Sequence, residues 1–307
     1  MESTASVETA LPGYREARER LAHRIRPAGI LDVVGPDRES FLQGQLTQDV
    51  RGMKPGEVRG AAGLSPKGKL LFIARVVGLE DRIRLLVSDV SREPVYEHLS
   101  KYAVFSKVTI EDRSSDIVRV GLYGPEAARF PLPEPAVRLP GEGELSGEIL
   151  VASDRLAGLQ DVLRAAGFPE VSLETAEVLR VEAGRPRFGS DMDAANLPDE
   201  VGMDEAISTT KGCYVGQEVV ARLRTYGRVN RRLVRFRFPE GPITAGSALR
   251  RPDEGVPSTV EAGRVTSSVV SPRWGAIGLG YVFRDVARGA RLISVSKPEL
   301  SAVVGER

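Results

Sequence analysis

The run Gly-Pro-acid occurs at Gly35-Pro36-Asp37 and again at Gly124-Pro125-Glu126, each time between a β-like run and a helix-like one. Ile30–Val34 leads into the first, with Phe41 and Leu42 beyond it. Val118–Tyr123 leads into the second, with a helix ending near Phe130. Proline suits a helix's first turn because its missing N–H has no partner to lose there. The acid that follows is favoured by the positive end of the helix dipole. A unit used twice in this way predicts two related α+β halves, near residues 28–115 and 116–225. Ahead of them lies a segment of residues 1–27, in which Tyr14–Arg26 reads as a charged helix with Leu21 and Ile25 on one side, ended by Pro27.

Within the first half, Leu70–Val77, Ile83–Val87 and Lys107–Glu111 read as strands. Pro131–Pro140 is proline-rich and reads as a loop or linker. After Gly227 the texture changes. Leu233–Phe238, Gly263–Val270, Ala276–Val282 and Leu292–Val295 are short β-like runs separated by glycine and proline, with no helical stretch between them. That spacing predicts a third unit over residues 226–307, a small antiparallel barrel or sandwich.

The chain has 307 residues, 41% hydrophobic and 28% charged, which is the composition of a soluble globular protein of two or three domains. No run approaches the roughly 18 apolar residues that span a bilayer. Met1–Ala10 is polar and acidic, so no secretory signal is expected. The single cysteine excludes an internal disulfide and fits the cytoplasm. A net charge of +1 argues against a general nucleic-acid binder, so any such contact is expected to be indirect.

Three stretches hold candidate chemistry. Ser172–Ala183 reads as a helix capped by Ser172 and closed by Gly184. Glu182 falls on the apolar stripe of Val178 and Leu179, where a carboxylate is partly desolvated and faces the wrong end of the helix dipole. It either pairs with Arg180 or Arg185, or waits for a flat ligand edge with two N–H donors. Asp191 and Asp193 lack the remaining pattern of a calcium loop and read as surface turn acids. The lone Cys213 sits in Lys211-Gly212-Cys213-Tyr214-Val215-Gly216-Gln217-Glu218. With only His23 and His98 as other soft ligands, both distant in sequence, a zinc or complete iron–sulfur site is unavailable, and no metal is expected. Cys213 is either a small buried hydrophobe or a thiol on a ligand-facing turn, its thiolate favoured by Lys211. Seven arginines and no acid fall between Arg222 and Arg237. They suit the solvated face of an edge strand, or a cradle for RNA phosphates or a poly-carboxylate tail.

The Lys211–Glu218 block, continued to Arg222, resembles the hallmark of the YgfZ-type folate-binding proteins, which act in maintenance and assembly of iron–sulfur enzymes and affect tRNA-modifying enzymes. Leu179–Pro186, Gly35-Pro36-Asp37 and Gly263–Ser267 with Ser271-Pro272 are similar to segments of the related glycine-cleavage aminomethyltransferases. The resemblance implies an α+β aminomethyltransferase-like fold, two related halves and a C-terminal antiparallel barrel around a central pocket for tetrahydrofolate. It implies Glu182 as the pteridine-binding glutamate. Arg180, Lys211, Gly212, Tyr214, Gly216 and Arg222 join it as folate contacts, and Cys213, Lys211, Gln217 and Glu218 are the reactive side chains. The partners implied are iron–sulfur client or assembly proteins, and the chain is expected to act as a monomer. In the aminomethyltransferases, the segment matching Gly68–Ile73 carries a catalytic aspartate, whereas here no acid occurs from Ser65 to Val77. That departure turns the expectation from aminomethyl transfer towards the iron–sulfur role, with a folate-dependent one-carbon transferase or demethylase as the alternative.

Overall fold

The computed structural model describes residues 11–132, 136–252 and 260–305; the polar stretch Met1–Ala10 lies outside them. Helix α1 is Tyr14–Glu19, and it is short because the chain turns at Arg20 and extends into strand β1, Ala22–Arg26. The helix expected to reach Arg26 therefore stops early. Ala22 pairs with Tyr123 and Arg26 with Arg119, so residues 22–26 are held by sheet hydrogen bonds that local spacing does not reveal.

The first half is an antiparallel sheet of β2 (Ala28–Val34), β3 (Val58–Leu64), β4 (Leu70–Gly78), β5 (Arg82–Ser88) and β6 (Thr109–Asp112), in the order β3-β4-β5-β2-β6. Helices α2 (Arg38–Gln45) and α3 (Arg92–Ala103) belong to this half. Phe41 and Leu42 of α2, with Val95 and Leu99 of α3, meet Leu31, Val33, Phe72 and Leu85 of the sheet in one buried cluster. The second half has β7 (Ile117–Tyr123), β8 (Val137–Pro140) and β9 (Gly147–Ala152), with β1 at the other edge, in the order β1-β7-β9-β8. The proline-rich stretch expected as linker thus contributes a strand at 137–140, while 133–135 lie outside the described residues.

The repeated design is visible in both sheets. Gly35 and Gly124 both take positive φ, 114° and 94°, to turn the chain out of β2 and β7. After Gly124 the proline opens a 3₁₀ turn, Pro125–Arg129, in place of an α-helix. Antiparallel partners β5 and β9 each run through a three-residue 3₁₀ turn into a helix, α3 in the first case and α4 (Leu156–Ala165) in the second.

Helix α5 (Leu173–Glu182) starts as expected: the Ser172 hydroxyl accepts from the Thr175 N–H at 3.0 Å. The short helix α6 (Pro198–Val201) and helix α7 (Gln217–Tyr226) lead to the third unit. That unit is a closed barrel, β10 (Arg231–Arg237), β11 (Ala248–Arg250), β12 (Glu261–Ser271), β13 (Gly275–Phe283), β14 (Arg291–Ser294) and β15 (Ser301–Val304), ordered β10-β13-β12-β11-β14-β15. Pairing of Phe236 with Val304 closes the ring, and Val234, Phe236, Leu249, Val265 and Leu292 help fill it. No helix among the described residues is long and apolar enough to cross a membrane.

Candidate functional site

Where the two sheets, α5 and the loops after it face one another, they enclose a cavity of 1310 Å³. Its apolar wall comes from Ile73 and Ala74 of β4, Leu86 and Val87 of β5, and Leu145. At the place where the acid is missing, β4 offers Ile73, Ala74 and Arg75 to the cavity.

The charged wall is buried. Glu148 of β9 is 0% exposed and lies among three guanidinium groups. Arg119 Nη2 donates to Glu148 Oε1 at 2.6 Å and Arg26 Nη1 to the same oxygen at 3.3 Å, while Arg75 Nη1 pairs with Oε2. Arg75 is fixed further by the Pro140 carbonyl, 2.6 Å away, and by Glu142, 3.3 Å away. Burial alone would push the Glu148 carboxyl up, but Arg119, Arg75 and Arg26 outweigh it and hold the carboxyl below its ordinary range. The result is a rigid, net positive cluster beside an apolar slot. Sequence reasoning missed it. Its signal was a single acid inside Gly147-Glu148-Ile149-Leu150-Val151, and single arginines inside β4 and β7.

Across the cavity, α5 contributes Arg180, which is 4% exposed. Its guanidinium spans Glu177 (2.6 Å), Asp191 (2.6 Å) and the Ser267 hydroxyl (2.7 Å). Asp191, expected on the surface, is 2% exposed. It also accepts from Ser267 Oγ at 2.7 Å, and so ties the loop after α5 to barrel strand β12.

Glu182 does not line the cavity. Its carboxylate is turned into the joint between α1, α5 and the β12–β13 hairpin. There Oε1 accepts from Tyr14 Oη at 2.7 Å and Ser271 Oγ at 2.5 Å, and Oε2 pairs with Arg18. With Oε1 filled, Oε2 facing Arg18 and neither oxygen on the cavity, the geometry does not offer the free pair of oxygens expected for a ligand edge there. The awkward acid at the helix end is satisfied by a helix far away in sequence.

The Lys211–Glu218 turn is a separate place. None of Lys211, Gly212, Cys213, Tyr214, Gly216, Gln217, Glu218 or Arg222 lines the cavity. The Lys211 ammonium is buried and donates to the carbonyls of Gln43 (2.7 Å), Leu46 (2.6 Å) and Gln48 (3.0 Å), at the end of α2. It therefore serves the orphan carbonyls of a helix terminus, not the neighbouring thiol. Tyr214 is buried with Leu64, Leu70, Val220 and Tyr281. Gly216 takes φ 82° as the cap of α7, and a Cβ there would meet the Ser65 carbonyl oxygen at 2.6 Å. Gly212 and Cys213 are exposed, as are Glu218 and Arg222. The turn is thus a rigid platform pinned to the first half that presents one thiol to solvent. Among the described residues no three His, Cys, Asp or Glu side chains gather closely enough to hold a metal ion.

No protein-family model matches the chain. A solved glycine cleavage system aminomethyltransferase T from Bartonella henselae matches at a TM-score of 0.85 and 20% identity, over 96% of this chain and 87% of that one. The fold is therefore the aminomethyltransferase fold. A putative chloroplastic transferase of Arabidopsis thaliana is 26% identical over 91% of this chain and 68% of its own length. The tRNA-modifying protein YgfZ of Colwellia psychrerythraea is 26% identical over 75% of each chain. Its counterpart in Klebsiella pneumoniae is 31% identical over 73% of this chain and 71% of its own. On that identity and coverage, the chain belongs to the YgfZ family.

Proposed function

We propose that this protein binds a reduced folate in its central cavity and supports the assembly or repair of iron–sulfur enzymes, tRNA-modifying enzymes among them. One observation carries the folate reading: an apolar slot of ample volume ends on a buried, pre-ordered charged cluster. Ligand sites for flat heterocycles have that make-up, with apolar walls for area and a few fixed polar groups for orientation. Tetrahydrofolate fits it chemically. Ile73, Leu86, Val87 and Leu145 would cover its rings, and the guanidinium groups of Arg75 and Arg119, held in place by Glu148, would meet its polar edge. When bound, the group supplies one-carbon chemistry. The chain's own residues orient it and keep water from its faces.

The iron–sulfur reading rests on the other place, the exposed Cys213 held on a rigid turn away from the cavity. The protein works as a cytoplasmic monomer that meets its client proteins through that turn. A transferase of the aminomethyl type is the weaker reading, because β4 gives the cavity Ile73, Ala74 and Arg75 and no carboxylate.

Calorimetry with tetrahydrofolate tests the cavity. Gly60 lines it, and a Cβ there meets only the Ala206 Cβ, at 3.8 Å. Gly60→Leu should fold normally and weaken binding about tenfold or more by filling the slot. Tight binding retained in that variant would remove the cavity from the proposal.

A further inference from the structure

The face of the second sheet that looks into the central cavity carries Arg24 and Arg26 of β1, Arg119 and Tyr123 of β7, and Glu148 of β9. Gly121 sits in the middle of this face, paired with Arg24 on one side and Glu148 on the other. A Cβ there would meet the Arg26 Cδ and the Leu145 Cδ2, both at 2.9 Å, so two apolar segments lie directly over the glycine. Beyond them, away from the Glu148 cluster, three polar groups stay incomplete. Tyr123 is 2% exposed and lines the cavity, and its hydroxyl has no hydrogen-bond partner among the described residues. Arg24 donates to the Val171 carbonyl at 2.7 Å and pairs with no carboxylate of the described residues. Glu144, from the loop before β9, pairs with no cation among them, and its buried Oε2 accepts no hydrogen bond. Arg24 and Glu144 both lie near enough for their charges to act on the Tyr123 phenol, which burial pushes up to about 12 and so keeps neutral. A fold rarely leaves buried polar groups unfilled, because each costs it stability.

We infer that the corner formed by Arg24, Tyr123 and Glu144 binds a small free α-amino acid as a second ligand, beside the folate of the central slot. The inference rests on the folate reading above and adds to it the class of co-ligand. The Arg24 guanidinium, held by one carbonyl, keeps donors for a carboxylate. Glu144 accepts from an ammonium group, and the neutral Tyr123 hydroxyl can donate to one end or accept from the other. A zwitterion neutralises both charges at once, whereas an uncharged ring edge neutralises neither. Space allows the two ligands together: the cavity's 1310 Å³ exceeds the roughly 300–1,000 Å³ that one drug-sized ligand fills. Ala176 of α5 also lines the cavity, and with Leu145 it suits a small side chain better than a long one.

Calorimetry with glycine, alanine, acetate and methylamine tests this, each titrated with and without saturating tetrahydrofolate. The two amino acids should bind about tenfold or more tighter than acetate or methylamine, since each half-ligand leaves one charge unmatched. Glu144→Gln and Arg24→Gln should each weaken glycine binding about tenfold and leave tetrahydrofolate affinity unchanged. Tyr123→Phe keeps the ring's packing and should weaken glycine by only about threefold. Glu144 has no partner to lose, so its variant should melt as wild type does and decides the matter even if Arg24→Gln folds poorly. Tetrahydrofolate binding without any binding of glycine or alanine would overturn the corner and leave the folate reading standing. A tenfold loss of tetrahydrofolate affinity in Glu144→Gln, with no amino acid present, would assign the corner to the folate itself and overturn the inference too. Glycine bound by a protein that takes no tetrahydrofolate would sink the folate reading and uphold the corner.

Discussion

The Lys211 ammonium lies 2.6 Å from the carbonyl oxygen of Leu46, and through that contact the Lys211–Glu218 turn of one half closes the helix of the other. Three carbonyls share this one cation. Replacing it leaves the buried carbonyls of Gln43 and Leu46, and the half-buried one of Gln48, without this donor. Lys211→Met should therefore cost roughly 3 kcal/mol in urea unfolding, and its effect on tetrahydrofolate affinity should be small.

The same lysine predicts a pH dependence. Burial pushes its ammonium down to about 8 from an ordinary 10.5. Between those values the unfolded chain holds a proton that the folded chain has released, so stability rises with pH there. Wild type should gain on Lys211→Met as pH goes from about 8 towards 10.5. Parallel curves across that window would show that the three carbonyls keep the ammonium fully charged.

Glu182 should matter to stability and not to ligand binding. Its oxygens are taken by Tyr14, Ser271 and Arg18. Glu182→Gln leaves Arg18 without its acid and should cost about 2 kcal/mol. Calorimetry should give the same folate affinity as wild type. A tenfold loss with unchanged melting would return Glu182 to the ligand site.

Cys213 should react with a small alkylating reagent in the folded protein, because its side chain is exposed. Saturating folate should not slow the reaction, since the turn does not border the cavity. Cys213→Ala should change stability by less than about 0.5 kcal/mol, yet fail to restore iron–sulfur enzyme activity in cells lacking the protein. Full rescue would place the work of the turn on Gln217 and Glu218.

Gly216 tests the rigidity of that turn. An alanine at φ 82°, pressed against the Ser65 carbonyl, should cost roughly 1–3 kcal/mol. Melting temperature should fall, and Cys213 labelling should become faster as the platform loosens.

Where the controlling forces are local, the sequence made the structure readable. Gly35 and Gly124 turn their strands where the Gly-Pro-acid runs predict, and Ser172 caps α5 through the Thr175 N–H. The barrel followed from short runs between glycines, although three-residue β11 and four-residue β15 carried too little pattern to be seen. Long-range contacts hid the rest. Leu21 and Ile25 have helical spacing, but pairing of β1 with β7 overrides it. Asp191 looked like a turn acid until Arg180 and Ser267 buried it. Glu148 becomes conspicuous only when Arg26, Arg75 and Arg119 converge on it from three different strands.

Strand β1 pairs with β7 along its length and, through His23, with residues 169–171, and the entire first sheet, residues 28–112, intervenes before either partner in the chain. During synthesis β1 must therefore stay unpaired while that sheet is made and folds. It can dock only after β7 has left the ribosome. Contacts between residues so far apart close slowly. The waiting strand and helix α1 shut late, and Tyr14 and Arg18 then join Ser271 of the barrel at Glu182. A nascent chain halted before β7 would expose an adhesive edge, so the vulnerable moment in this protein's life comes midway through its translation.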